Sequence, residues 1–121
     1  MTFRVERGET EEEIYIEACS KITASDYQDS LRPILNELKN AGKRVRLLMH
    51  FGTDFKGYTA GAVWEDAKMG FQFIRTIDRC AIVSQVKWLK NIAYYFGKLT
   101  PCSVTTYNNS QIADAKTWLR S

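Results

Sequence analysis

Residues 51–70, FGTDFKGYTAGAVWEDAKMG, end an apolar strand, turn through a loop carrying Gly52 and Gly57, and open an amphipathic helix at Thr59-Ala60-Gly61. Strand, short loop and helix form the repeating unit of an α/β sheet, and such sheets meet ligands and partners at the carboxyl ends of their strands. The loop is therefore the first place to look for function. The strand leading into it, Arg44–Phe51, alternates with period two. Val45, Leu47, Met49 and Phe51 point one way, and Arg44, Arg46, Leu48 and His50 the other. A central parallel strand buried on both sides would not place two arginines on one of them. The pattern thus predicts a sheet covered well on one face only.

Upstream, residues 3–6 read as a strand, residues 6–11 as a polar turn, and Glu13–Ser20 as a second strand with Ile14, Ile16 and Ala18 on one face. The two form a hairpin. A helix begins near Thr23 and Asp26, spaced like a capping box, with a kink expected at Pro33 and an end at Ala41-Gly42. Downstream, the second helix runs from about Thr59 to Ile74 with a core stripe of Ala60, Val63, Trp64, Ala67, Phe71 and Ile74. Its wet side is Glu65, Lys68, Gln72 and Arg75. A strand at Arg79–Ser84, a helix from Val86 to about Gly97, a strand at Cys102–Tyr107 and a final helix capped by Asn109 or Ser110 complete the chain. Strand-helix alternation of this kind implies one α/β domain over residues 1–121, built on a mostly parallel five-stranded sheet entered through an N-terminal hairpin.

Composition agrees with a folded globular chain. Of 121 residues, 45% are hydrophobic and 26% charged, which argues against disorder. Seventeen basic and 14 acidic residues leave a net charge of only +3, short of the basic stripe expected of a nucleic-acid binder. Arg44, Arg46 and Arg79 share the less covered sheet face with Tyr15 and Tyr107, a set that could stack on single strands, but Glu17 interrupts it. Three cysteines, Cys19, Cys80 and Cys102, show no CxxC spacing and fit reduced thiols. The charged start MTFRVERGETEEE is no signal peptide, and no apolar run approaches the roughly 20 residues of a membrane span. The expectation is a cytoplasmic protein without stable membrane insertion.

Three segments carry a family resemblance: GTDFKGYTAGAVWEDAKMG (52–70), VKWLKNIAYYFGKLTP (86–101) and ADAKTWL (113–119). With the strand-helix alternation, the chain resembles the SpoIIAA-like proteins, a branch near the STAS domains of sulfate transporters and anti-sigma-factor antagonists. The resemblance covers nearly the whole chain. It implies consecutive strand-helix turns and a relation to lipid-binding Sec14-type domains, and it carries no defined biochemical role. Anti-sigma-factor antagonists bear a phosphorylatable serine where the second helix starts, within an Asp-Ser-Ser-Gly type sequence. The matching place here is Gly57-Tyr58-Thr59-Ala60-Gly61, with Thr59 as the nearest hydroxyl, Gly61 as the glycine and Tyr58 in place of the acidic residue.

Candidate sites follow. Thr59, Ala60 and Gly61 form a phosphate or anion site if the free backbone donors of the helix start are used that way, and a plain threonine N-cap if they are not. Thr53, Asp54 and Lys56 are loop residues able to contact an anionic or hydroxyl-bearing ligand, or simply a solvated turn. His50, the only histidine, has no ligand-spaced partner for a metal. Glu65 and Asp66 point different ways on the helix and read as a solvated face. The third helix carries a core stripe of Val86, Leu89, Ala93 and Phe96 and a second stripe of Trp88, Ile92, Tyr95 and Leu99, more apolar arc than packing on one sheet requires. Together with Trp64, Met69 and Phe73 these residues predict an interface or ligand surface.

No nucleophile–base pair, metal set or phosphate-binding glycine fingerprint is present. The sequence therefore points to a non-catalytic regulatory or protein-interaction module needing no cofactor. Its partner is an unidentified protein, with a homodimer preferred on the surplus aromatic arc. The alternative is a carrier or sensor of a small apolar, lipid-like ligand held between the second and third helices. An empty apolar pocket would favour the carrier, and a flat apolar patch the interaction module.

Overall fold

Ile14, Ile16 and Ala18 alternate with Tyr15 and Glu17 along β2 (Glu13–Ala18), and the first three are fully buried. This alternation seats the strand between two neighbours. β1 (Phe3–Arg7) pairs with it antiparallel, Phe3 opposite Ala18, and β4 (Val45–Phe51) pairs with it parallel, Ile14 opposite Leu47. β6 (Ile77–Val83) and β7 (Ser103–Tyr107) are added in parallel on the far side of β4. The sheet order is β1-β2-β4-β6-β7, five strands with one antiparallel hairpin, as the sequence predicts. The computed structural model describes residues 3–10, 12–73, 75–99 and 101–121, with the side chains of Phe3, Phe71, Phe96 and Leu99 outside the description.

Because successive parallel strands are added in one direction, right-handed crossovers carry their connecting helices to one face. α1 (Arg32–Asn40), α2 (Ala60–Gln72) and α3 (Lys87–Leu99) contribute Leu35, Leu38, Met69, Phe73 and Leu89 to a core shared with Ile14, Ile16, Leu47, Met49 and Phe51. The irregularity expected at Pro33 takes the form of a π-helical segment, Asp26–Leu31, ahead of α1. Pro33 itself sits in the first turn, where a missing N–H leaves no hydrogen bond unmade. Thr23 donates from its backbone N–H (2.7 Å) and its hydroxyl (3.0 Å) to the Asp26 carboxylate, which fixes the entry.

The opposite sheet face departs from expectation. α4 (Ile112–Arg120) crosses it over β4 and β6, burying Ala115 and Leu119 against Leu48, Ala81 and Val83. The arginines thought to mark an uncovered face serve this helix. Arg46 donates to the Leu119 carbonyl, and Arg79 donates to the Trp118 carbonyl at 2.7 Å. Two guanidinium groups thereby satisfy carbonyls in the last turn of α4, at the negative end of its dipole. Arg44 and Arg46 also pair with Asp78, and the Arg79 guanidinium lies over the Trp118 ring. These contacts explain the arginines without nucleic acid. The expected cap also differs: Asn108 forms a capping box with Gln111 at the start of a short 3-10 turn, Asn109–Gln111, and α4 follows from Gln111 without a side-chain cap.

The α2 stripe is corrected as well. Ala60, Val63, Trp64 and Ala67 are exposed, and Ala62, Met69 and Phe73 are buried in their place. Ile74, assigned to the expected stripe, lies outside the described residues, as does the Phe71 side chain. A helix with two apolar arcs can bury either, and here the inward arc is the one that packs beside the π-helical segment.

Candidate functional site

The loop after β4 is tied down by its backbone. Ser20 N–H donates to the Asp54 carbonyl (3.0 Å), Lys56 N–H to the Ser20 carbonyl (2.8 Å) and Thr59 N–H to the Ile22 carbonyl (2.9 Å). These bonds draw two short strands, β3 (Lys21–Ile22) and β5 (Gly57–Tyr58), into a separate parallel pair that periodicity did not reveal. Gly57, at φ 104°, supplies the left-handed turn entering it. Thr53, Asp54 and Lys56 are exposed on this strap. Thr59 caps α2, its hydroxyl accepting from Ala62 N–H at 3.1 Å. Ala60 and Gly61 follow at the surface, and a Cβ on Gly61 would come within 3.3 Å of the Ala24 side chain. Close approach of α2 to residue 24 gives that glycine a packing reason.

β5 and the cap start α2 beside the π-helical segment, and α2 packs chiefly on these two rather than flat on the sheet. The consequence is a cavity of about 160 Å³ between α2, α3 and the sheet. Its walls are apolar: Met69 and Phe73 from α2, Leu89 and Ala93 from α3, and Met49 and Ile82 from the sheet are among them. Cys80 and Cys102 also line it. Burial pushes the Cys80 thiol well up and the Cys102 thiol to about 11, so both stay neutral at pH 7.

Three polar side chains reach this cavity. Asp66, one turn from Met69 on the inward arc of α2, lines it together with Tyr27 and Tyr58. Asp66 is exposed at the edge of the cavity, where partial desolvation by its walls raises the pKa and the nearby Tyr27 hydroxyl opposes the rise. Both tyrosine hydroxyls are held neutral, first by burial and then by the nearby carboxylate. Phe51, Phe55 and Tyr58 pack edge to face at 4.8–6.3 Å, and Trp88 of α3 joins Phe55 at 6.4 Å.

Glu65 faces elsewhere. Its carboxylate accepts from Gln28 Nε2 (3.0 Å), Arg32 Nη2 (2.8 Å) and Lys68 Nζ (3.1 Å). The Lys68 bond leads in holding its pKa below the usual value, although burial opposes. Glu65 is thus covered by long polar side chains, whereas Asp66 is exposed where it lines the cavity. The solvated reading of this acidic pair does not hold for Glu65, which is only 4% exposed.

Of the surface residues expected to act together, Trp64 (65% exposed), Trp88, Ile92 and Tyr95 (64%) stand outward, while Met69 and Phe73 are buried along the cavity wall. Ile92 reaches the cavity as well. The predicted set is therefore divided: an outer face on α2 and α3, and an inner wall behind it. The Leu99 side chain lies outside the described residues. Sequence reading missed Tyr27, Tyr58 and Asp66. The available signal was the helical series Ala62, Asp66, Met69 and Phe73, an apolar stripe with one carboxylate within it.

Residues 14–120 match the SpoIIAA-like family. The chain belongs to that family. A solved structure similar to it is an uncharacterised protein of the DUF3478 family with a SpoIIAA-like fold from Shewanella loihica PV-4. The two share 22% identity and a TM-score of 0.77, over 97% of this chain and 91% of that one. At this identity the likeness shows the fold. No curated protein matches the chain. This SpoIIAA-like chain shares its fold with that uncharacterised protein.

Among the described residues, the SpoIIAA-like chain has no group of three or more His, Cys, Asp and Glu that could hold a metal. None of its described helices is long and apolar enough to cross a membrane. His50 is half-buried on the α4 side of the sheet.

Proposed function

We propose that this SpoIIAA-like chain is a non-catalytic binding module that holds a small, largely apolar ligand between α2, α3 and the sheet. The cavity carries the proposal. Native interiors are packed to crystal-like density and seldom leave voids larger than a water molecule. A partly open space of about 160 Å³ lined by Met69, Phe73, Leu89 and Ala93 is room for a small apolar molecule. It also adjoins the aromatic cluster at the carboxyl end of β4, where α/β sheets meet their ligands. Toluene is a suitable first probe, since an apolar void of this order accepts small aromatic molecules. Saturating toluene is expected to raise Tm, and Ala93→Leu, which fills the cavity from α3, is expected to remove that rise. No shift with toluene would overturn the reading.

A second reading is supported by a different observation. Val63, Trp64, Trp88, Ile92, Tyr94 and Tyr95 leave about half or more of their surface exposed on α2 and α3. Clustered aromatics of this kind are enriched at interfaces with other proteins. The two readings are compatible, because these helices also wall the cavity. Native mass spectrometry separates them: retained small-molecule mass supports the carrier, and a dimer weakened by Trp64→Ala or Tyr95→Ala supports the interface.

A further inference from the structure

Among the described residues that line the cavity, one carries a charge. Asp66 of α2 lines the cavity from an exposed position beside the buried Met69 and Phe73, and Tyr27 and Tyr58 line it alongside. Among the described residues no lysine or arginine pairs with it, in contrast to Glu65 one position earlier, which meets both Arg32 and Lys68. A carboxylate at the exposed edge of an apolar cavity can pair with a cationic group on a molecule whose apolar part enters that cavity. A carboxylate has room for about four accepted bonds, so acceptor capacity remains.

Resting on the cavity reading above, we propose that Asp66 is the polar anchor of the site, and that its ligand is a small apolar amine whose protonated nitrogen binds this carboxylate. The apolar body would lie against Met69, Phe73 and Leu89, and the ammonium group would face Asp66 with Tyr27 and Tyr58 alongside. The chemistry selects by sign. An ammonium gives Asp66 the counter-charge that no described lysine or arginine supplies, in a charge-assisted pair. A neutral alcohol offers one ordinary hydrogen bond. A carboxylate ligand would bring a second negative charge beside the first, and one of the two would have to take up a proton.

The test measures binding of four probes to the full chain at pH 7 by calorimetry and thermal shift: toluene, 2-phenylethanol, 2-phenylethylamine and 3-phenylpropanoate. The amine is expected to bind at least about tenfold more tightly than the alcohol, as a hydrogen bond to a charged group adds over a neutral one. The carboxylate is expected to bind weakest. Asp66→Asn should abolish the preference for the amine and leave toluene binding intact, which also shows that the variant is folded. Equal affinity for amine and alcohol in the unsubstituted chain overturns the anchor, with no variant needed. So does a preference that survives Asp66→Asn. In both cases, binding of toluene keeps the cavity as a ligand site. Failure of all four probes removes the cavity reading and the anchor together.

Discussion

Burial alone would drive the Glu13 carboxyl toward its neutral form. Hydrogen bonds from Tyr15 (2.5 Å) and Thr10, and the Arg120 guanidinium at 3.3 Å, outweigh that and hold its pKa below the usual value. Since the folded chain favours the ionised form more than the unfolded chain does, the contribution of Glu13 to stability is full above the ordinary carboxylate range. It is lost as pH falls through the depressed folded value. Urea unfolding measured across that range should show stability declining with acid, and Glu13→Gln should flatten the decline while lowering stability at pH 7. Asp66 has the opposite sign: its pKa is raised, so its ionisation opposes folding. Residue-level chemistry of this kind was hard to read beforehand. Glu65 and Asp66 are neighbours in sequence, yet Gln28 and Arg32, 37 and 33 positions away, give one of them its partners.

At the scale of the element, α2 and α3 each carry more apolar surface than one contact can bury. α3 turns as its periodicity predicts, with Leu89 inward and Trp88 and Tyr95 outward. α2 turns the other way, with Phe73 inward and Trp64 outward. The difference sets mutational cost. Phe73→Ala removes a fully buried ring and is expected to cost about 3–5 kcal/mol in chemical denaturation. Tyr95→Ala and Trp64→Ala remove exposed rings and should stay within about 0.5 kcal/mol. Costs of several kcal/mol at Tyr95 would mean that the outer face is core, and the second functional reading would fall with it. Element types and order were legible because strand alternation and helical periodicity are local signals. The β3–β5 pair was not, since each strand has only two residues and is held by backbone bonds to the other.

For the molecule as a whole, α4 closes the second sheet face. Leu119 is fully buried against Leu48, Ala81 and Val83, while the Arg46 and Arg79 guanidiniums bind the end of the helix and Arg120 reaches Glu13 on β2. We expect the chain to unfold as one unit, so Leu119→Ala should lower stability by about 2–5 kcal/mol in a single transition reported alike by fluorescence and circular dichroism. A separate early transition for α4 would mean that this face is an appendage to the sheet.

The sequence by itself determined that this chain is an α/β protein with an N-terminal hairpin, a mostly parallel five-stranded sheet and a threonine-capped second helix. Each of those rests on neighbours a few residues apart. Tertiary structure alone decided which arc of α2 faces inward, where the arginines of β4 and β6 spend their charge, and that a cavity with one carboxylate lies behind the exposed aromatics. The rotation of a helix about its axis is chosen by what it packs against, and those partners lie far along the chain. Periodicity reveals how wide an apolar arc is; only the packed neighbours select the part of it that is buried.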